Sequence, residues 1–393
     1  MGKIVGMTGD ESIAHAVKLC DPDVIAAYPI TPQTIMVERL SDFVYDGDLD
    51  AEFVPVESEH SAMSCCYGAS IAGSRVFTAS ASQGLALMFE ILFIVSNARL
   101  PVVMGVANRA LSAPISIHGE LTDQLVCRDT GWLSIFCHDC QSAYDTSIIA
   151  FKIAEDKEVS LPIMYGIDGF IVTHALEGVD TLEKREVDDF LPPRDPLYFL
   201  DPDNPISAGL LTLQDSYYEC KYAQLKVMEN SMKTIKKVQE EFGELTGRFY
   251  DTVNTYYAED ADVILVTQGA ITGTARTVVD RYRSKGKKLG LAQIRVYRPF
   301  PSEDLKNALK DAKVAATIDR SITFGAPGPI VYSDVKVAAG NGGPVVQSFV
   351  AGIGGRDVRI EHVEKIADRA FETAESGVEP KEVSYVGVRG VEF

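Results

Sequence analysis

Six short apolar runs, each followed by a stretch with helical spacing, limit most tightly how this chain can fold. They are Val24 to Ala27, Phe53 to Val56, Val76 to Thr78, Pro101 to Val106, Leu133 to Cys137 and Leu161 to Ile167. Strands that alternate with helices imply a parallel sheet covered on both faces, and so an α/β fold. In such sheets ligands collect where strands end at their carboxyl side. The residues just after each run are therefore the candidates for chemistry.

Three of those strand ends carry suitable side chains. The first leads into Tyr28-Pro-Ile-Thr31-Pro32-Gln33-Thr34, a turn with two prolines that presents hydroxyls. The second leads into Glu57-Ser-Glu59-His60, where a helix starts near Ser58 and small residues from Ser61 to Ala72 let another surface approach closely. A carboxylate there can be drawn out of water and made ready to hold or share a proton. The plainer alternative is an acidic first helical turn, which the helix dipole favours. The run ending at Val106 leads to Asn108-Arg109-Ala110, and an arginine fork there matches a carboxylate; an exposed loop arginine is the plainer alternative. Between Thr78 and a very apolar helix from Leu85 to Asn97, Ala79 to Gly84 leave N-terminal amides open to a ligand, or simply cap the helix. The polar loop from Ser112 to Asp123 is long enough to cover a site.

Composition excludes several classes. The net charge of -19 argues against sequence-independent nucleic-acid binding. An anionic substrate must then be drawn in by local cations. No run approaches the length of a membrane span, and the N-terminus lacks the apolar stretch of a secretory signal, so a cytoplasmic location is expected. Seven cysteines in 393 residues do not suggest a disulfide framework. Cys137-His-Asp-Cys140 has no second pair at metal or cluster spacing and reads as a strand edge.

The rest of the chain is read as follows. Asp10 caps a first helix over Glu11 to Leu19. From Phe190 to Pro205, prolines among acids and aromatics rule out regular structure and suggest a crossing segment pinned to a surface. Tyr217 to Phe242 is a long helix with Tyr222, Leu225, Met228, Met232, Ile235 and Val238 on one buried stripe. A second parallel α/β domain starts near Asp260, with strands Val263 to Val266, Leu289 to Val296, Ala315 to Ile318 and Val345 to Phe349. Its helices include Thr274 to Arg283 and Val363 to Ala374. The Gln268 to Gly273 glycines miss both phosphate-loop spacings and read as a tight turn.

Six motifs, taken in order, then point to a family. Tyr28-Pro-Ile-Thr-Pro32, Val56-Glu-Ser-Glu-His-Ser-Ala62, Asn108-Arg-Ala-Leu-Ser-Ala-Pro114, Arg128-Asp-Thr-Gly-Trp132, Phe190-Leu-Pro-Pro193 and Arg298-Pro-Phe-Pro301 resemble the α subunits of the 2-oxoacid:ferredoxin oxidoreductases. The match is to the four-subunit pyruvate and branched-chain type, over nearly the whole chain. The resemblance implies that residues 1–245 form a thiamine-diphosphate pyrimidine-binding-type domain and residues 255–393 a transketolase-C-terminal-like domain. It implies oxidative decarboxylation of pyruvate with CoA to acetyl-CoA and CO2, or the reverse, with electrons passed to ferredoxin.

By that resemblance Glu59 is the acid on the cofactor's pyrimidine N1′, with Glu57 its rival two residues away. Thr31 bonds the oxoacid carbonyl or the nascent alkoxide, and Arg109 clamps the carboxylate. Pro32, Ser82 and Gln83 are expected along the cofactor; His60 and His118 are expected to be structural. The diphosphate's Mg²⁺ is usually held by a Gly-Asp-Gly segment and a later asparagine, and Gly166-Ile-Asp168-Gly169 has the wrong spacing. The resemblance thus places Mg²⁺ on a partner β subunit and the 4Fe-4S clusters on partner subunits, among which it implies a ferredoxin-like δ subunit and a γ subunit. The rival readings are a branched-chain 2-oxoacid oxidoreductase subunit, an E1 β-like chain feeding lipoamide, and a non-catalytic assembly subunit.

Overall fold

The computed structural model describes residues 2–378, 380 and 382–391. Two sheets carry the chain. The first has seven strands in the edge-to-edge order Val296–Arg298, Leu133–Phe136, Ile163–Asp168, Val103–Asn108, Val76–Ser80, Val24–Ala27 and Glu52–Pro55. All pairings are parallel except that of Val296–Arg298. The central strands are rich in Val, Ile and Met and are buried along their whole length, as a sheet covered on both faces requires. Helices Gly9–Leu19, Thr34–Tyr45, Glu59–Ile71 and Cys140–Glu155 are among its covers. The expected α/β class with parallel sheets is what the chain adopts.

The second sheet has six strands in the order Ser384–Tyr385, Val345–Val350, Val314–Asp319, Val263–Thr267, Leu289–Ile294 and Val253–Tyr256. Only Val253–Tyr256 runs antiparallel to its neighbour. The chain goes from Val263–Thr267 outward to Leu289–Ile294, then returns to the other side for Val314–Asp319. The topological switch point therefore lies between the carboxyl ends of Val263–Thr267 and Val314–Asp319, where doubly wound sheets open a crevice. Asp168, from the last parallel strand of the first sheet, fills that crevice. Its Oδ2 accepts the Ala270 N–H at 2.6 Å, and its carboxylate pairs with Arg320. Both partners are almost wholly buried.

Several elements differ from the sequence reading. Thr8, not Asp10, caps the first helix: its Oγ1 accepts the Glu11 N–H at 3.3 Å while Glu11 returns the bond to the Thr8 N–H at 3.0 Å. Asp10 lies buried in the first turn. The expected strand Leu289 to Val296 is two strands. Arg295 turns the chain so that Val296–Arg298 leaves the second sheet and pairs with Leu133–Phe136 of the first. The Leu85 to Asn97 helix is interrupted at Met88, giving Ser82–Leu87 and Phe89–Asn97. An antiparallel pair, Ile4–Met7 with Glu177–Asp180, was not foreseen; neither was the helix Ile330–Ala339.

The long helix spans Tyr217–Thr246 and ends at Gly247, whose φ of +75° gives the left-handed cap that favours glycine. Its expected stripe is buried only in the second half: Ile235 and Val238 are covered, but Tyr222 and Leu225 are exposed. The first turns touch the first domain at their edge, where Gln224 Nε2 donates to Ser96 Oγ at 3.0 Å. The proline-rich stretch has no regular structure and is pinned as expected. Arg75 holds Glu155 through Nε and Nη2, each at 2.8 Å, and also donates to the Pro192 carbonyl at 2.9 Å. Arg194 donates to the Gly73 carbonyl at 2.7 Å, and the Leu200 N–H to Ile71 at 2.8 Å.

Removing one partner of a buried ion pair strands the other charge. Asp168→Ala should therefore lower stability by about 3–5 kcal/mol, read as a lowered denaturant midpoint. An unchanged midpoint would mean that the pair does not join the two sheets.

Candidate functional site

In the first sheet the chain runs from Val24–Ala27 outward to Glu52–Pro55, then returns to Val76–Ser80 on the other side. The switch-point crevice lies between the ends of Val24–Ala27 and Val76–Ser80. The Thr31, Glu59 and Ser82 turns all border it. Gln33, fully buried, ties its two sides: its Nε2 donates to the Ala79 carbonyl at 2.8 Å, and its Oε1 accepts the Ile30 N–H at 3.2 Å. Pro32 is buried beside Gly169, where a Cβ would come within 2.9 Å of the Pro32 ring.

The organising group is Asp123, which the sequence reading noted only as the end of a loop. Its Oδ2 accepts the Ser82 and Arg109 N–H groups, each at 2.9 Å. Its Oδ1 accepts Asn108 Nδ2 at 3.0 Å and the Gln124 N–H at 2.8 Å. One carboxylate thus fixes the turns that follow two neighbouring strands. Burial pushes Asp123 up to about 6, against the pull of its four donors. An acid set between Leu121 and Leu125 was the one sequence sign of this role.

Arg109 is held by the backbone. Its Nη1 donates to the Thr31 carbonyl at 2.8 Å and its Nε to the Ser116 carbonyl at 3.2 Å. Nη2 donates to no described residue. The Thr31 hydroxyl is likewise unused among the described residues, and Thr31 is exposed. Ser82 and Gln83 brace the loop after Arg109. Ser82 Oγ lies 2.5 Å from the Ala110 carbonyl, and Gln83 Oε1 accepts the Ser112 N–H at 3.1 Å. The Ser82 backbone takes a φ of +46°, a strained conformation for a residue with a side chain.

The two rival carboxylates are separated by their surroundings. Glu57 is exposed, and the Ser61 hydroxyl, donating at 2.5 Å, holds its carboxyl below the usual range. Glu59 is 7% exposed and accepts no hydrogen bond from the described residues. It opens the helix Glu59–Ile71 behind the Ser58 cap and lies against Gly84. A Cβ on Gly84 would sit 2.5 Å from Glu59 Oε1 and 2.6 Å from Ser80 Oγ. The glycine leaves a cradle for a carboxylate that needs an external donor.

The remaining candidates lie apart or are already engaged. His60 Nε2 is 3.8 Å from Glu90, and the His118 ring rests 5.1 Å from Phe170. Cys137 and Cys140 are buried thiols raised by burial, Cys137 to about 11, and Cys140 Sγ donates to the Val172 carbonyl at 3.8 Å. A cavity of about 630 Å³ lined by none of these residues opens between the 217–246 and 302–309 helices, with Tyr250 and Asp304 among its lining. No helix of the described residues is long and apolar enough to cross a membrane.

Comparison with known proteins fits this geometry. Residues 15–240 match the family described as pyruvate flavodoxin/ferredoxin oxidoreductase, thiamine diphosphate-binding. Residues 261–363 match pyruvate:ferredoxin oxidoreductase core domain II. The chain is 46% identical over 363 residues to pyruvate synthase subunit PorA of Methanothermobacter thermautotrophicus, covering 92% of this chain and 94% of that one. It is 42% identical over 383 residues to ketoisovalerate oxidoreductase subunit VorA of Pyrococcus horikoshii, covering 96% of each. Among solved structures, a 2-oxoglutarate:ferredoxin oxidoreductase from Magnetococcus marinus, with 2-oxoglutarate, coenzyme A and succinyl-CoA bound, superposes with a TM-score of 0.73 at 17% identity. That likeness covers 95% of this chain and 66% of the longer neighbour. A split-gene transketolase, solved as an inactive β4 tetramer, gives a TM-score of 0.56 at 13% identity over 94% of this chain and 99% of that one. At these identities the two structures speak for the fold alone.

Two outcomes follow from the geometry. Gly84→Ala should displace the Glu59 carboxylate and cut turnover at least about tenfold while leaving the fold intact, since alanine suits a helix; unchanged turnover with an unmoved melting temperature would contradict the packing. Asp123→Asn turns an amide NH₂ toward donors it cannot bond and should cost about 1–3 kcal/mol. The folded Asp123 titrates above an unfolded aspartate, so ionising it costs stability as pH rises from about 4 to about 6. The wild-type advantage over Asp123→Asn should therefore shrink across that window in denaturant titrations; a widening gap would refute the assignment.

Proposed function

Since the chain belongs to the pyruvate:ferredoxin oxidoreductase family, we propose that it is the α-type subunit of a pyruvate synthase. In this reading the complex works in the cytoplasm and couples pyruvate and CoA to acetyl-CoA and CO2 with two electrons passed to ferredoxin, or runs in reverse. Residues 1–245 serve as the pyrimidine-binding-type domain and residues 255–393 as the transketolase-C-terminal-like domain. A β subunit brings the Mg²⁺–diphosphate half of the cofactor site, and the 4Fe-4S clusters sit in partner subunits that include a ferredoxin-like δ and a γ subunit. Thiamine diphosphate, when bound, supplies the carbanion chemistry that breaks the bond beside the oxoacid carboxylate.

The single observation that carries this reading is the junction of Arg109 with Thr31: the guanidinium, a fork whose shape matches a carboxylate, donates at 2.8 Å to the carbonyl of the turn that bears the hydroxyl. Arg109 Nη2 is left to bond the oxoacid carboxylate. The Thr31 hydroxyl donates to the carbonyl oxygen as it gains charge. Glu59 holds the proton at the pyrimidine N1′, and its lack of a protein donor and its glycine cradle suit that task. Pro32 keeps water from one wall. Ser82 and Gln83 act through the loop that they brace.

The ketoisovalerate reading keeps support from the 42% identical relative. Both readings are tested on the natively purified complex by CoA-dependent reduction of a viologen dye with a panel of 2-oxoacids. A preference for pyruvate is expected; a preference for 3-methyl-2-oxobutanoate would change the substrate and keep the mechanism. In the same assay Glu59→Gln should lower turnover by about 10²-fold or more with the complex still assembled. Loss with Glu57→Gln instead would move the role to Glu57.

A further inference from the structure

Arg109 is only as well aimed as the Ser116 carbonyl that holds its Nε. Ser116 sits in a loop whose second half is gripped by the second sheet. The Gly354 N–H donates to Glu120 Oε2 at 2.8 Å, and Ser116 Oγ donates to the Gly354 carbonyl at 3.4 Å. Arg320 Nη2 donates to the Gly119 carbonyl at 3.0 Å, and the Leu121 N–H returns a bond to the Arg320 carbonyl at 2.9 Å. Gly354 and Gly355 take φ of +59° and +74°, and a Cβ on Gly355 would fall on His118. Glu120 is 7% exposed. Among the described residues it is the one side chain of this loop that accepts from the backbone of the Gly352–Gly355 turn.

We propose that Glu120 is a positioning residue for the oxoacid clamp: by gripping the Gly354 turn of the second sheet it sets the Ser116 carbonyl, and through it the direction of Arg109 Nη2. A guanidinium is planar and rigid, so fixing Nε and Nη1 fixes the third nitrogen. The inference rests on the reading of Arg109 as the carboxylate clamp. It adds that the second sheet, which supplies none of the residues named for the site, tunes oxoacid affinity.

The test uses the assembled complex, with pyruvate and CoA varied separately. Glu120→Ala should raise the KM for pyruvate about tenfold. It should leave the KM for CoA within about twofold and change kcat little. Glu120→Gln keeps an acceptor oxygen for Gly354 and should restore the wild-type KM. Arg109→Lys, made in parallel, checks the underlying reading. If Arg109→Lys raises the pyruvate KM while Glu120→Ala does not, the positioning role is overturned and the clamp stands. If Glu120→Ala instead lowers kcat with both KM values unchanged, or shifts both together, Glu120 is merely structural. If Arg109→Lys leaves the pyruvate KM unchanged, the clamp falls and the inference with it.

Discussion

A single buried carboxylate sets the geometry on which the rest of the site depends. Asp123 receives four donors from three segments of chain, at 2.8 to 3.0 Å. Turns after parallel strands begin with N–H groups that no longer have a ladder partner, and burying them unpaired is costly. An ionised acid satisfies two such groups with one oxygen, which a neutral side chain does not do as well. The cost is its own desolvation, visible in the upward push to about 6. In return the Ser82 and Arg109 turns hang from the same atom and cannot shift independently. Positioning of this kind is what a site needs when its ligand-binding groups come from separate loops.

The second sheet enters the same logic from outside. Its switch-point crevice is where a doubly wound domain would ordinarily take a ligand. Here the occupant is Asp168, held by the Ala270 N–H and paired with Arg320. Burial lowers Arg320 to about 10, with the Glu120 charge opposing the shift, so the guanidinium stays charged at neutral pH. The crevice has become a socket for the first sheet. Val296–Arg298 strengthens the same union by joining the edge of the first sheet. The first sheet fills the crevice of the second, and the chain leaving the second sheet forms one edge of the first.

Parallel βα alternation was legible because buried strands leave short apolar runs and because helices have their own period. Glu59 and the strand-end Arg109 stand out in the sequence as residue types in telling places, and the family motifs rank them. What the sequence did not show were relations across the fold. Asp123 is one acid among many until Ser82 and Arg109 are brought to it. Asp10 has the composition of a cap, but Thr8 has the reciprocal partner in Glu11 and wins the position. The apolar stripe of the long helix was read correctly as a stripe, yet periodicity does not say how far the neighbouring sheet extends. The break at Arg295 is hidden in the sequence because the residues around it, Leu289–Ile294 and Val296, are buried and largely apolar.

The distribution of closure around the site bears on why such a chain would act as a subunit. On the Arg109 flank the protein closes the site itself, with the 116–121 loop gripped by the second sheet. On the Glu59 flank it does not. The helix that carries Gly84 and the one after it expose Leu87, Phe89, Phe93 and Ile94. Glu59 sits between the two, nearly buried but with no donor from the described residues. A carboxylate so placed gains little from its own chain and most from a ligand that donates to it in a water-poor setting. An apolar surface beside it gains most from another protein surface. Both needs are met by the same event under the proposed reading, in which a partner that carries the rest of the cofactor site covers this flank. With a net charge of -19, an anionic substrate has to be drawn in by local cations, and under the same reading Arg109 is the one at the site.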